Sequence, residues 1–158
     1  MPQEKRGKTS PLVVIDTNVW VSAFISPSGH SARILDLWLD QRFDVIMALP
    51  LLEEISRVLQ KPRLQSRYGY LSSEIKRYLT LIMEGSQIVV PQATLNLCRD
   101  PKDNHLLEAA LESRADFLVS RDDDLKGDDE LVAQMKRHGV KVMTISGFLK
   151  MFTENDPS

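Results

Sequence analysis

Leu12-Val13-Val14-Ile15 is a short, unbroken apolar run rich in β-branched residues, and it narrows the choice of fold more than any other feature of the chain. A strand with one wet face alternates apolar and polar residues. A run with no polar member suits a strand buried on both faces, as in a parallel sheet covered by helices. Short apolar runs recur at Val45-Ile46-Met47, Ile88-Val89-Val90 and Phe117-Leu118-Val119, and a fifth strand is expected at Val140-Lys141-Val142-Met143. Helical patterns fill the intervals. They predict helices over residues 19–25, from Ser31 as cap to about 41, 50–60, 72 or 73 to 84 with Gly85 as the stop, 103–114, 129–138 ended by Gly139, and a last turn or two over 146–152. Ser26-Pro27-Ser28-Gly29 and Lys61-Pro62-Arg63 read as breaks.

Strands alternating with helices predict βαβ units. The expected fold class is α/β: a three-layer α/β/α sandwich around a mainly parallel central sheet of about five strands. No repeat, low-complexity tract or linker divides the 158 residues, a length that suits one hydrophobic core. The expected organisation is a flexible basic arm over residues 1–10, a single domain over 11–152 and a tail over 153–158.

Charge and cysteine usage set limits on function. The formal net charge is −2 and the sequence pI about 5.9, so no overall basic field attracts nucleic acid. Any nucleic acid would be held by a local patch and by bound metal. Cys98 is the single cysteine, which excludes an intrachain disulfide and a CxxC metal site and reads as a small packed residue. No apolar run approaches the ~18 residues of a membrane helix, and the polar start lacks the pattern of a signal peptide. The expected location is therefore the cytoplasm, with no membrane partner.

In an open parallel sheet the functional crevice lies beyond the carboxyl ends of the strands. Asp16-Thr17-Asn18 follows the first apolar run, and Ser120-Arg121-Asp122-Asp123-Asp124 follows the fourth. Asp100-Pro101-Lys102-Asp103-Asn104 opens the helix between the third and fourth. Taken singly, Asp100 and Asp103 read as helix caps. Asp16, an acid ending a fully apolar strand, starts in a costly, poorly solvated position and is harder to explain as a turn residue. Together, several carboxylates at one sheet end need a counter-charge, and Arg121 is the one basic residue at a matching strand end. A hard divalent cation with oxygen ligands meets that need, and it can activate water and orient a phosphate. His30, His105 and His138 stand apart and give no zinc spacing. There is no GxSxG elbow, P-loop or GxGxxG.

The same segments resemble the PIN domain family, a group of metal-dependent nucleases. Val13-Val14-Ile15-Asp16-Thr17-Asn18 looks like its opening motif. A mid-chain glutamate lies in Leu51-Leu52-Glu53-Glu54-Ile55-Ser56-Arg57-Val58-Leu59. Asp100-Pro101-Lys102-Asp103-Asn104 precedes an alanine-rich helix, and Ala115-Asp116-Phe117-Leu118-Val119-Ser120-Arg121-Asp122 is similar to the closing pattern. The resemblance runs from about Leu12 to Phe148. It implies Asp16, Glu54, Asp103 and Asp122 around one or two Mg²⁺ or Mn²⁺ ions, with Asn18 and Ser120 in support and Asp124 as a further ligand or supporting group. It favours Glu54 over the adjacent Glu53, and Asp103 over Asp100. It further implies a VapC-like endoribonuclease, the toxin of a toxin–antitoxin pair, acting as a homodimer and restrained by a small antitoxin protein.

On this reading the ion would supply an acidified water, and a second ion, where present, would stabilise the departing 3′-oxygen, with single-stranded or looped RNA as substrate. Arg33, Lys61, Arg63, Arg67 and Lys76 are candidate backbone contacts, or plain solvated helix faces. Arg121 stands where the family commonly has a small residue, and it reads either as a phosphate contact or as a carboxylate partner. Two other functions use similar residues: a non-catalytic RNA- or protein-binding module with this fold, and an aspartate-based phosphotransfer or receiver domain. The latter lacks support, since Asn18 stands where a dehalogenase-like fold needs a second aspartate.

Overall fold

All four residues of the first strand, β1 (Leu12–Ile15), are buried, as expected of a strand covered on both faces. The computed structural model describes residues 10–92, 101–121 and 129–154. Residues 1–9 of the arm, Cys98 and residues 155–158 of the tail lie outside the described residues. In chain order the elements are β1, α1 (Thr17–Ile25), α2 (His30–Leu39), β2 (Asp44–Ala48), α3 (Leu49–Leu59), α4 (Pro62–Tyr68), α5 (Ser72–Gly85), β3 (Gln87–Val89), α6 (Pro101–Glu112), β4 (Phe117–Ser120), α7 (Asp129–Arg137), β5 (Lys141–Thr144) and α8 (Ile145–Glu154).

The five strands form one all-parallel sheet in the order β3-β2-β1-β4-β5, and the helices flank it as the layers of an α/β/α fold. From β1 the chain works outward through β2 to β3, then returns to lay β4 against the other side of β1. The sheet therefore changes direction of growth between β1 and β4, and the crevice at such a switch point opens at the carboxyl ends of those two strands. Val13, Val14 and Ile15 pair with Phe117, Leu118 and Val119, so the residues that follow, Asp16 and Ser120, emerge side by side. At the opposite end Asp116 fixes this register: its Oδ2 accepts the Leu12 N–H at 2.8 Å, and its own N–H donates to the Leu12 carbonyl at 2.7 Å.

Helical periodicity placed most helices, with physical exceptions. Ser31 does not cap α2; Gly29 occupies the cap position and supplies no side-chain hydrogen bond, leaving Ser31 buried in the first turn. Lys61-Pro62-Arg63 ends α3, yet Pro62 at once starts α4, a seven-residue helix that buries none of its residues and so leaves no apolar stripe to detect. The apolar stripes of α2 and α3 are chiefly core: Ile34, Leu35 and Trp38, and Leu51, Leu52, Ile55 and Leu59, are buried, while Leu39 and Leu49 reach solvent.

Two aromatic groups carry much of the interior. Phe43, Phe117, Phe148 and Phe152 pack with ring centroids 5.0–5.9 Å apart, locking α8 beneath the sheet. Trp20 and Trp38 meet edge to face at 5.3 Å. Tyr78 of α5 donates its hydroxyl to the Trp20 carbonyl at 2.7 Å, and burial holds this phenol well above its ordinary titration range, so it remains a donor.

Gly85, read from the sequence as a helix stop, is the last residue of α5, and Ser86 is the cap. Its lack of a side chain serves packing instead, because a Cβ there would lie 2.6 Å from Cζ2 of Trp38. Trp38 cannot retreat without disturbing Trp20. Gly85→Ala is expected to cost roughly 1–3 kcal/mol through overpacking, visible as a melting temperature lower by about 2–4 °C per kcal/mol. An unchanged melting curve would show that the ring yields freely.

Candidate active site

Asp16 is the N-cap of α1 and the first residue beyond β1. Its backbone N–H extends the ladder to the Val119 carbonyl at 2.9 Å, which carries its carboxylate to the top of the switch point. One oxygen, Oδ1, accepts the Asn18 N–H at 3.3 Å; the other, Oδ2, accepts the Ser120 hydroxyl at 3.1 Å. The side chain is 9% exposed, and the amino end of α1 favours its negative charge. Ser120, 1% exposed, is fixed by its place at the end of β4.

The next residue, Thr17, ties this point to a third element. Its hydroxyl donates to Oε1 of Glu54 on α3 at 3.1 Å. Glu54 is half-buried, whereas Glu53 is exposed, as a 100° step around a helix requires. Asp16 and Glu54 stand on different elements linked through the adjacent residue Thr17, each accepting a hydroxyl hydrogen bond from a residue at or just beyond a strand end. Asn18 contributes its backbone N–H to Asp16, and its side chain is exposed.

The other expected site residues are placed less fully. Asp103 lies in the first turn of α6, a helix that packs on β1, β2 and α3, but its side chain lies outside the described residues. Asp100, Asp122 and Asp124 also lie outside the described residues. Arg33, Lys61, Arg63, Arg67 and Lys76 are all exposed on helices or their caps, with Arg67 stacked 5.3 Å from the Tyr68 ring.

Two residues had no role in the sequence reading. Thr17 is one; its position directly after a strand-ending acid, at the first turn of a helix, was the available signal. Glu108 is the other, 1% exposed on α6 with Oε1 4.0 Å from Nδ1 of His105. A carboxylate inside Leu106-Leu107-Glu108-Ala109-Ala110 was the visible anomaly.

The chemistry available here is that of hard oxygen donors. Paired carboxylates suit Mg²⁺ or Mn²⁺ rather than softer ions. Among the described residues no three His, Cys, Asp or Glu side chains gather around one point, so a full ligand set needs groups beyond Asp16 and Glu54.

A family model described as PIN domain matches residues 12–124, from the first residue of β1 to the acidic segment after β4. The chain belongs to the PIN domain family. PIN domains are generally nucleases and generally use divalent metal ions. This PIN domain is 34% identical over 151 residues to the uncharacterized protein MJ1680 of Methanocaldococcus jannaschii, an alignment spanning 94% of this chain and 96% of the relative. Its fold is also similar to the solved structure of VapBC2 from Rickettsia felis bound to a DNA fragment from its promoter. The TM-score is 0.52 with 13% identity, over 84% of this chain and 98% of that one, and at that identity the likeness is one of fold. No described helix is long and apolar enough to cross a membrane.

Proposed function

We propose that this PIN domain is a Mg²⁺- or Mn²⁺-dependent endoribonuclease that hydrolyses RNA phosphodiester bonds. Asp16, Glu54, Asp103 and Asp122 would hold the metal, with Asn18, Ser120 and Asp124 in support. The observation that supports the reading is that Asp16, held by Ser120 at the switch point of the sheet, is followed by Thr17, whose hydroxyl holds Glu54 of α3. Bound there, the ion would acidify a water and offset the charge that develops on the phosphate. The chain's own part is to preset the carboxylates. Ser120 and Asn18 hold both oxygens of Asp16, and Thr17 restrains Glu54, so each acid keeps one orientation.

The pair Glu53 and Glu54 provides the test. Cleavage of a structured RNA should require Mg²⁺ or Mn²⁺ and stop in EDTA. Glu54→Gln should lower the rate by roughly 10–100-fold, as loss of an ordered ligand-shell group does. Glu53→Gln should stay within about twofold, because an exposed residue away from the crevice makes no comparable contribution. Equal loss in both, or in neither, would remove Glu54 from the site.

We further infer, from the motif resemblance to VapC-like toxins, a narrower assignment: the toxin of a toxin–antitoxin pair, working as a cytoplasmic homodimer and held inactive by a small antitoxin; the solved VapBC2 complex shares the fold. A short reading frame directly upstream, whose product co-purifies with the chain and stops RNA cleavage, would support it. An isolated gene, whose product cleaves RNA without restraint, would count against it.

A further inference from the structure

Beside the acidic crevice lies a groove of opposite character. It has a volume of about 320 Å³ and is lined by Ser22 and Ser26 of α1 and its cap, Gly29, His30 and Ser31 at the start of α2, Arg121 after β4, and Ile145 and Ser146 at the start of α8. Among the described residues that line it there is no carboxylate. Arg121 directly follows Ser120, whose hydroxyl holds Asp16, so the groove begins one residue from the proposed metal site.

Three features suit a phosphate. Arg121 is exposed and lines the groove, where its guanidinium can grip a phosphate through two parallel hydrogen bonds. Ser31 is only 8% exposed, yet its hydroxyl makes no hydrogen bond among the described residues while it lines the groove. Its hydroxyl meets solvent in the groove and is available to donate to a ligand oxygen. The ten-residue helix α2 also starts there without a side-chain cap, so its first N–H groups join the positive end of the helix dipole facing the groove.

We propose that this groove binds a backbone phosphate of single-stranded RNA, neighbouring the one cleaved, with Arg121 and Ser31 as its principal contacts. The proposal rests on the nuclease reading for its substrate class. It also answers a problem of that reading: an acidic centre in a chain of net charge −2 needs a local positive site to retain a polyanion. Arg121 provides it at the lip of the crevice, while the seryl hydroxyls and α2 amides fix the phosphate by hydrogen bonds.

The test is binding of a short, labelled single-stranded RNA to the full chain in EDTA, where metal-dependent cutting does not run, over a salt series. Arg121→Ala should weaken binding roughly fivefold and reduce the steepness of the salt dependence by about 0.7, the share of one phosphate contact on a single strand. Arg121→Lys should recover the salt dependence and only part of the affinity. Ser31→Ala should weaken binding with the salt dependence unchanged, since no charge is lost. Wild-type affinity and salt dependence in Arg121→Ala would overturn the proposal. So would inorganic phosphate or an acidic peptide that depends on Arg121 when RNA does not. Arg121-dependent RNA binding by a wild-type chain that never cuts RNA with Mg²⁺ or Mn²⁺ would instead sink the nuclease reading and leave the groove standing.

Discussion

Asp16→Ala should lower metal-dependent RNA cleavage by at least about 10²–10³-fold, the range seen when one preset charge-stabilising group is removed from a reaction centre. The alanine variant also loses more than a charge. The Asn18 N–H loses its cap acceptor, worth roughly 0.5–2 kcal/mol. The hydroxyl of Ser120, a residue 1% exposed, loses the Asp16 carboxylate as acceptor, at a further cost of about 1–3 kcal/mol. Asp16→Asn separates the two effects. Its carbonyl oxygen can still accept a hydrogen bond and its shape is nearly the same, but it brings no negative charge to a metal. The expected pattern is lost cleavage in both variants, with the melting temperature lowered chiefly in the alanine. Asparagine retaining more than about a tenth of wild-type activity would show that the charge of Asp16 is not what the reaction uses.

Trp20→Ala should be the most destabilising single change, by roughly 3–5 kcal/mol. Trp20 is fully buried, meets Trp38 edge to face at 5.3 Å, and donates its indole N–H to the Ile15 carbonyl at 3.2 Å. Ile15 immediately precedes Asp16, so the same ring packs the core and steadies the end of β1 below the crevice. With a domain of this size losing about 2–4 °C of melting temperature per kcal/mol, a fall of roughly 6–20 °C is expected. Trp20→Phe keeps most of the volume but leaves the Ile15 carbonyl without its indole donor, and it should fall between wild type and alanine. A shift of less than about 2 °C in the alanine variant would mean that α1 repacks around the lost ring.

The sheet was legible because Leu12–Ile15, Val45–Met47 and Phe117–Val119 announce burial by composition alone. Their pairing was not, since strand order depends on contacts between residues far apart in the chain. Yet it is the adjacency of β1 and β4 that brings Ser120 to Asp16 across 104 positions. Helices were legible wherever a face is buried, and α4, with no buried residue, escaped. Local chemistry misled at one small residue and told half the story at another. Ser31 resembled a cap but sits inside the first turn of α2, and Gly85 does end α5 but also makes room for Trp38, which its sequence position did not reveal. Within the site, the motifs marked Asp16 and Glu54 as acids worth watching. They could not show that Thr17 would bridge toward Glu54, because that bond joins the end of β1 to α3 across 37 positions. The polar groove at Arg121 was equally hidden, being assembled from four separate elements.

Whether the strand-end acids bind a divalent ion can be measured without any RNA, by following the loss of the free Mn²⁺ electron paramagnetic resonance signal as protein is added. Wild-type protein should bind Mn²⁺, with Mg²⁺ competing for the same sites. Asp16→Asn and Glu54→Gln, both folded, should each bind roughly 10–100-fold more weakly. Equal Mn²⁺ binding by wild type and Asp16→Asn would contradict the assignment of this crevice as a metal centre.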